Sequence, residues 1–438
     1  MKVHGIPFFL FLTLLLLTGT TSRGAENPVR KDSGTTSPAP LSSESATSRE
    51  RSKKDEDLPY KNLSVFMESL MILRSKYVDE EKITYENLLR AAMRGMLQEL
   101  DPFSTYEEPE AFQNTVEDSM GKFPGIGVVI TERDDALEII SVMEESPAAK
   151  AGLRSGDLIL EIDGKHTRMM YLDECVKRMK GAVGTKVKLK VYRRSSDATK
   201  DVEIERAVIA VPSVKGAGLV SGRIGYLRIT QFTATTASDL DHALSMLKKS
   251  PLHGLIIDLR NNPGGLLTAA IETVSRFIEK GRPVVSIEGR AEKKVSHNAV
   301  GCPKDLELPI AILINENSAS AAEIFAACMQ DYKRAILVGT RSFGKGSVQV
   351  IIPLSDGGAL RITTAKYYTP GRREIHERGV DPDIAVHTSP AGTAAIARHF
   401  SERGDQVPLV RDGKYRDVQL ERAIEILKGV HIFRQAEK

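Results

Sequence analysis

Two residues in this sequence have the type and surroundings for covalent chemistry, Ser320 and Lys345. Ser320 lies in Asn317-Ser-Ala-Ser-Ala-Ala-Glu323, directly after residues 310–314, a short β-branched apolar run that reads as a strand buried on both faces. Residues 319–329 are strong helix formers, and Ser320 with Glu323 has the Ser-x-x-Glu spacing of a helix N-terminus. Backbone N–H groups are unpaired there and the helix dipole is positive, so negative charge developing beside Ser320 is stabilised. A serine at a helix start ordinarily serves as a cap. The lysine downstream changes that reading. Lys345 is held between Gly344 and Gly346, after a second apolar run at 335–338 and before residues 347–352, which alternate and branch like a strand. An ammonium confined there has little room to reach water; desolvation lowers its pKa and lets it take the proton of a serine hydroxyl.

The same segment, Gly339-Thr-Arg-Ser-Phe-Gly-Lys-Gly346, comes within one residue of a phosphate-binding P-loop. Gly346 stands where Ser or Thr would hold magnesium, and Val348, Val350, Ile351 and Ile352 argue strand where a helix is required, so the pattern speaks against a nucleotide site. Upstream, the apolar run 255–259 leads into Arg260-Asn-Asn-Pro-Gly264-Gly265. This turn brings backbone without side chains to a strand end, where N–H groups can face a substrate carbonyl.

The elements that must position these residues follow from periodicity. Residues 224–230 and 255–259 read as strands, 238–249 as an amphipathic helix opened by Ser238, and another helix should start at Leu266, so repeated strand and helix units imply an α/β core over 208–390. Before it, 58–115 is helical in pattern, with Val65, Leu70, Met71 and Ile72, then Leu88, Leu89, Ala92, Met93, Met96 and Leu97 at three- and four-residue spacing. Residues 116–207 hold short strands and turns, and 391–438 is a C-terminal helical region ending in an amphipathic helix over 417–429. Residues 1–22, with Lys2 before the apolar run 6–17, have the form of an export signal or an amino-terminal anchor. Residues 23–57, rich in Ser, Thr, Pro and mixed charge, read as a disordered linker.

At the level of motifs, Asn317-Ser-Ala-Ser-Ala-Ala-Glu323, Gln330-Asp-Tyr-Lys-Arg-Ala335 and Phe343-Gly-Lys-Gly-Ser-Val-Gln349 resemble the signature blocks of the carboxyl-terminal processing peptidases, or tail-specific proteases. Phe123-Pro-Gly-Ile-Gly127-Val-Val-Ile and residues 145–164 resemble a PDZ domain. The resemblance implies a spiral, ClpP/crotonase-like α/β core with an inserted PDZ domain. It implies Ser320 as nucleophile, Lys345 as general base, Gln349 orienting Lys345, and an oxyanion hole from the amide of Ala321 with that of Gly264 or Gly265, between which the sequence does not choose. In the PDZ domain, Gly125, Ile126 and Gly127 would nest a terminal carboxylate, the next strand would offer an edge to an extended peptide, and Val128 and Ile130 would lean towards an apolar pocket.

The expectation is therefore an exported serine endopeptidase, periplasmic or otherwise extracytoplasmic, acting on proteins with a free, apolar carboxyl terminus. It needs no cofactor or metal. A homodimer through the amino-terminal helices and membrane association through the amino terminus are further expectations. The rival is a PDZ tail-binding scaffold without turnover, against which the intact Ser320, Lys345 and Gln349 argue. The chain has 438 residues, 61 basic against 58 acidic, which gives no electrostatic case for nucleic acid. Three cysteines, at 175, 302 and 328, show no metal spacing and no even disulfide set, although a bridge between Cys302 and Cys328 is conceivable. The nine histidines include no His-Glu-x-x-His pair.

Overall fold

The computed structural model describes residues 44–133, 136–143, 145–290, 294–301, 308–403, 406–407, 411–412 and 415–436. The expected export signal and most of the linker lie outside them. The helix Glu44–Lys76 nevertheless begins inside the stretch read as disordered. Glu50, Arg51, Lys53, Lys54 and Glu56 are good helix formers, and propagating a helix costs far less than nucleating one. No described helix is long and apolar enough to cross a membrane.

The described chain falls into two compact units, one of residues up to Tyr106 with Leu360–Ile362, the other from Glu107 onward. In the first, Glu44–Lys76 is followed by a single-turn helix and by Tyr85–Gln98, whose start is capped by the Thr84 hydroxyl accepting Asn87 N–H. Many of its apolar side chains remain exposed, among them Tyr60, Val65, Met71, Ile72, Leu89 and Met96, whereas Leu97 is buried.

The second unit is built on a six-stranded sheet. Val214–Ser221 pairs antiparallel with Ile224–Ile229, and Gly254–Asp258, Ile310–Ile314, Ile336–Gly339 and Ile384–Ala385 then add in parallel. Parallel strands are covered on both faces, which is why 310–314 reads as an unbroken apolar run and is fully buried. The helices Thr236–Leu247, Leu267–Val274 and Ala321–Asp331 pack on one side. The first starts two residues before the Ser238 expected to cap it, because the Thr236 hydroxyl already closes a turn on Thr233 N–H at 2.8 Å. The helix Val418–Ala436 covers the other face, where Leu420, Ala423, Ile424 and Leu427 meet Tyr226, Ile256, Ala311, Leu313 and Val338. The carboxyl-terminal region is thus a layer of the core rather than an appendage to it.

The inserted domain leaves and rejoins this core through an antiparallel ribbon, Lys122–Gly125 against Ala207–Ala210. The helix Pro109–Met120 runs across the boundary read at residues 115 and 116, and the domain's own sheet spans Val128 to Glu205. Val128–Arg133 lies at the edge of that sheet, paired among the described residues on one side only, with Ala136–Val142. Its core holds Ile126, Ile139, Ile159, Ile162, Val187, Leu189 and Val191, with Val128 and Ile130 half-buried against it. Ile126 is 2% exposed, its side chain in the domain core, which leaves only its backbone for the carboxylate nest expected there. No hydrogen bond among the described residues takes the N–H of Ile126 or Gly127. Gly127 has φ +83°, and a Cβ there would stand 2.3 Å from Ser146 Cβ, so no larger residue fits this turn.

Candidate active site

Ser320 sits between the buried strand Ile310–Ile314 and the helix Ala321–Asp331, as its position in the sequence implies. It is 2% exposed and has φ 56° and ψ −116°, a conformation that costs an L-residue about 1–3 kcal/mol and persists only where neighbours hold it. Those neighbours are identifiable. Asn262 O accepts Ala319 N–H at 2.9 Å, Ser320 O accepts the N–H groups of Glu323 and Ile324 at 2.9 and 3.0 Å, and Glu323 Oε2 accepts Ser320 N–H at 2.8 Å. The Ser-x-x-Glu spacing therefore does form the contact of the N3 glutamate with the N-cap backbone.

The same carboxylate does more than cap. Glu323 Oε2 also accepts Lys345 N–H at 2.8 Å, and Oε1 accepts Gly344 N–H at 2.7 Å and the Ser342 hydroxyl at 2.5 Å. One oxygen atom thus bonds the backbone of both Ser320 and Lys345 and keeps the two within two hydrogen-bond lengths of each other. Glu323 is fully buried; burial raises its pKa, and its four donors offset that only in part. The sequence showed this residue as a cap alone. Its partners lie some twenty positions on, where no local spacing rule reaches.

Lys345 is 8% exposed. Gly346 beside it packs so closely on the next segment that a Cβ would stand 2.2 Å from His376 N, and Tyr367 N–H bonds Gly346 O at 2.7 Å. These contacts seat the lysine at the start of the strand Ser347–Pro353. Gln349, on that strand, is buried as expected for a residue meant to orient Lys345, yet both of its amide atoms lack a hydrogen-bond partner. The expected bond to Lys345 is not formed in this conformation. Phe343, also beside the lysine, is 51% exposed and offers an apolar surface next to Ser318, whose O accepts Phe343 N–H at 3.0 Å.

The Asn-Asn-Pro-Gly-Gly turn closes the site. Asn261 and Asn315 exchange two hydrogen bonds, and Asn262 donates to Ile229 O at 2.8 Å. A Cβ on Gly264, whose φ is +104°, would stand 2.8 Å from Ser320 Cβ and 2.9 Å from Ala321 N, so only glycine lets the turn approach the serine. The hydrogen bonds distinguish the two glycines. Gly264 N–H is committed to Asn262 Oδ1 at 2.8 Å. Gly264 O and Leu266 N–H both bond Phe232, which turns Gly265 N–H the other way, and neither it nor Ala321 N–H has an acceptor among the described residues. Cys328, in the helix after Ser320, is buried and free, and burial pushes its thiol well above the ordinary range.

Residues 223–386 match Peptidase family S41, and residues 115–192 match the PDZ domain. The chain is 39% identical over 401 residues to a carboxy-terminal-processing protease of Bartonella bacilliformis, covering 86% of this chain and 90% of that one. It is 38% identical over 331 residues to a probable CtpA-like serine protease of Staphylococcus aureus (strain bovine RF122 / ET3-1), covering 75% of this chain but only 65% of the relative. Among solved structures, the photosystem II D1 C-terminal processing protease is 27% identical, with 78% of this chain and 98% of that one covered and a TM-score of 0.42. A buried serine in this setting, with the two matched domains, defines a serine peptidase carrying a PDZ domain. The chain belongs to the carboxy-terminal-processing proteases of Peptidase family S41.

Proposed function

We propose that this protein is an endopeptidase that selects substrates by their free carboxyl terminus through its PDZ domain and cleaves them with a Ser320/Lys345 dyad. The observation that carries the proposal is the bonding of Ser320 N–H and Lys345 N–H to one carboxylate oxygen of Glu323. Ser320 attacks the scissile carbonyl while the neutral Lys345 amine accepts its proton. The resulting oxyanion is stabilised by the amides of Ala321 and Gly265, the two beside the serine without acceptors. Collapse expels the amine, which takes the proton back from Lys345, and water then hydrolyses the acyl-enzyme by the same exchange. Gln349, buried and unpartnered, has the acceptor that the transient Lys345 ammonium requires.

The tail is read elsewhere. The open N–H groups of Ile126 and Gly127 suit a terminal carboxylate, and the unpaired edge of Val128–Arg133 suits an extended peptide. Amidating the carboxyl terminus of an unfolded substrate with an apolar tail is expected to lower kcat/KM by about tenfold or more, since a charge-assisted hydrogen bond contributes about 1.5–3 kcal/mol. Equal cleavage of the acid and the amide would end the tail-reading part. Tight binding of the tail with no cleavage at all would make the chain a scaffold.

We further propose that the exposed apolar side chains of the amino-terminal helices pair two copies, and that the chain is exported by residues 1–22. A monomer in sedimentation velocity at micromolar concentration would contradict the first, and a cytoplasmic location after cell fractionation the second.

A further inference from the structure

Arg260 stands at the root of the turn that carries Gly264 and Gly265, and its guanidinium spends every donor inside the protein. Asp258 takes Nε at 3.0 Å and Nη2 at 2.7 Å, and the Tyr226 hydroxyl donates to the same carboxylate at 2.9 Å. Asp417 takes Nη1 at 2.9 Å and Nη2 at 2.8 Å, and Gln419 takes Nη1 at 3.2 Å. Arg260, Asp258 and Asp417 are all buried. A second cation, Arg228, stacks on Phe400 at 3.7 Å, and the Arg260 guanidinium lies 5.8 Å from the same ring. Arg260 thus pairs with both carboxylates away from water, with the half-buried Arg228 close enough to feel the Asp258 charge.

The two carboxylates come from different places. Asp258 ends the strand that runs into the turn, so its contact with Arg260 is local. Asp417 comes from the far end of the chain and also caps the last helix, its Oδ1 accepting Leu420 N–H at 3.0 Å. That helix is fastened to the sheet by Leu420, Ala423, Ile424 and Leu427. One side chain therefore ties the start of a docked helix to the residue from which the turn springs. Beyond Arg260 the turn is relayed to the serine without a break: Asn261 N–H to Asn315, Asn262 O to Ala319 N–H, and Asn262 Oδ1 to Gly264 N–H.

We propose that Asp417 is a positioning residue for the cleavage reaction: through Arg260 it sets the turn 261–265, and hence the Gly265 amide, in place beside Ser320. This rests on the reading of Gly265 and Ala321 as the oxyanion donors. Asp258 alone fixes one edge of the guanidinium and leaves it free to pivot; Asp417 fixes the other. The carboxyl-terminal helix, which touches no reacting atom, thereby becomes a condition of turnover.

The variant Asp417→Asn keeps the volume, one acceptor for Arg260 and a good helix cap, while removing the charge and one of the paired bonds. Per folded molecule, its kcat is expected to fall by about tenfold to a hundredfold with KM within about twofold of the wild type, because a donor displaced by roughly 1 Å costs up to ~10² in rate. Fold is checked by thermal midpoint and near-ultraviolet dichroism. Should Asp417→Asn fail to fold, Asp417→Glu keeps the charge and moves the carboxylate by one methylene relative to Arg260, and a fall in kcat at constant KM is again expected. A folded Asp417→Asn or Asp417→Glu with wild-type kcat overturns the proposal, as does a loss shared equally between kcat and KM. Ser320→Ala, assayed alongside, separates the two readings. If it still cleaves, Ser320 is not the nucleophile and the oxyanion site placed beside it falls with it; if it is inactive while Asp417→Asn keeps full kcat, only the role of Asp417 is lost.

Discussion

Ser320→Ala is expected to abolish cleavage of an unfolded protein substrate, and Lys345→Arg to do the same, each with a loss of about 10⁴-fold or more in kcat. The two changes test different things. Alanine removes the nucleophile and nothing larger than an oxygen from a buried site, so the fold and tail binding should survive. Arginine keeps a cation at position 345 but cannot give up its proton, so it can hold a charge there and cannot act as a base. Lys345 is 8% exposed, so either side chain at this position is held inside the site rather than in water. Because nucleophile and base work in one step, the double variant should be no worse than either single one. Retained turnover in folded Lys345→Arg would show that the lysine serves as a charge or a structural strut, and a different base would be needed. Retained turnover in Ser320→Ala would remove the whole proposal.

The second large effect is expected from Glu323→Gln. Four donors, the N–H groups of Ser320, Gly344 and Lys345 and the Ser342 hydroxyl, converge on two carboxylate oxygens. Glutamine has the same shape, yet it replaces one oxygen with an NH₂ that faces donors instead of accepting from them. Buried donors left without an acceptor cost about 1–3 kcal/mol each. A destabilisation of about 2–4 kcal/mol is therefore expected in denaturant unfolding. Activity should fall further than stability explains, by about 10²-fold in kcat/KM, because Ser320 and Lys345 lose the atom that holds them together. If Glu323→Gln unfolds at the wild-type midpoint and cleaves at the wild-type rate, the clamp has no role.

The two variants also mark what could be read from the chain alone. Ser320, Lys345 and Gln349 stand in motifs, and the strand and helix around Ser320 follow from an apolar run and a capping pair, both local signals. Glu323 was visible only as a cap, since its other donors are folded in from Ser342, Gly344 and Lys345. The choice between Gly264 and Gly265 is equally invisible in a linear reading. It depends on which amide Asn262 claims and on which side of the turn faces Phe232. Ile126 stands in a turn motif that speaks only for its backbone, and that its side chain packs in the domain core depends on residues distant in sequence such as Leu189 and Val191. The carboxyl-terminal helix was legible as a helix, but its partners, Tyr226, Ile256 and Leu313, are too distant in sequence to be recognised as its floor. Gln349 shows the reverse case, a residue singled out by its motif that is buried with its expected hydrogen bond unmade.

The most direct test of the central claim is to mix the full chain with a peptide active ester, quench in acid within the first turnover and map the acylated residue by mass spectrometry. Ser/Lys catalysis predicts a burst of about one equivalent and an acyl group on Ser320, with the burst lost in Lys345→Arg. An acyl group on any other residue, or turnover with no covalent intermediate at all, would contradict it.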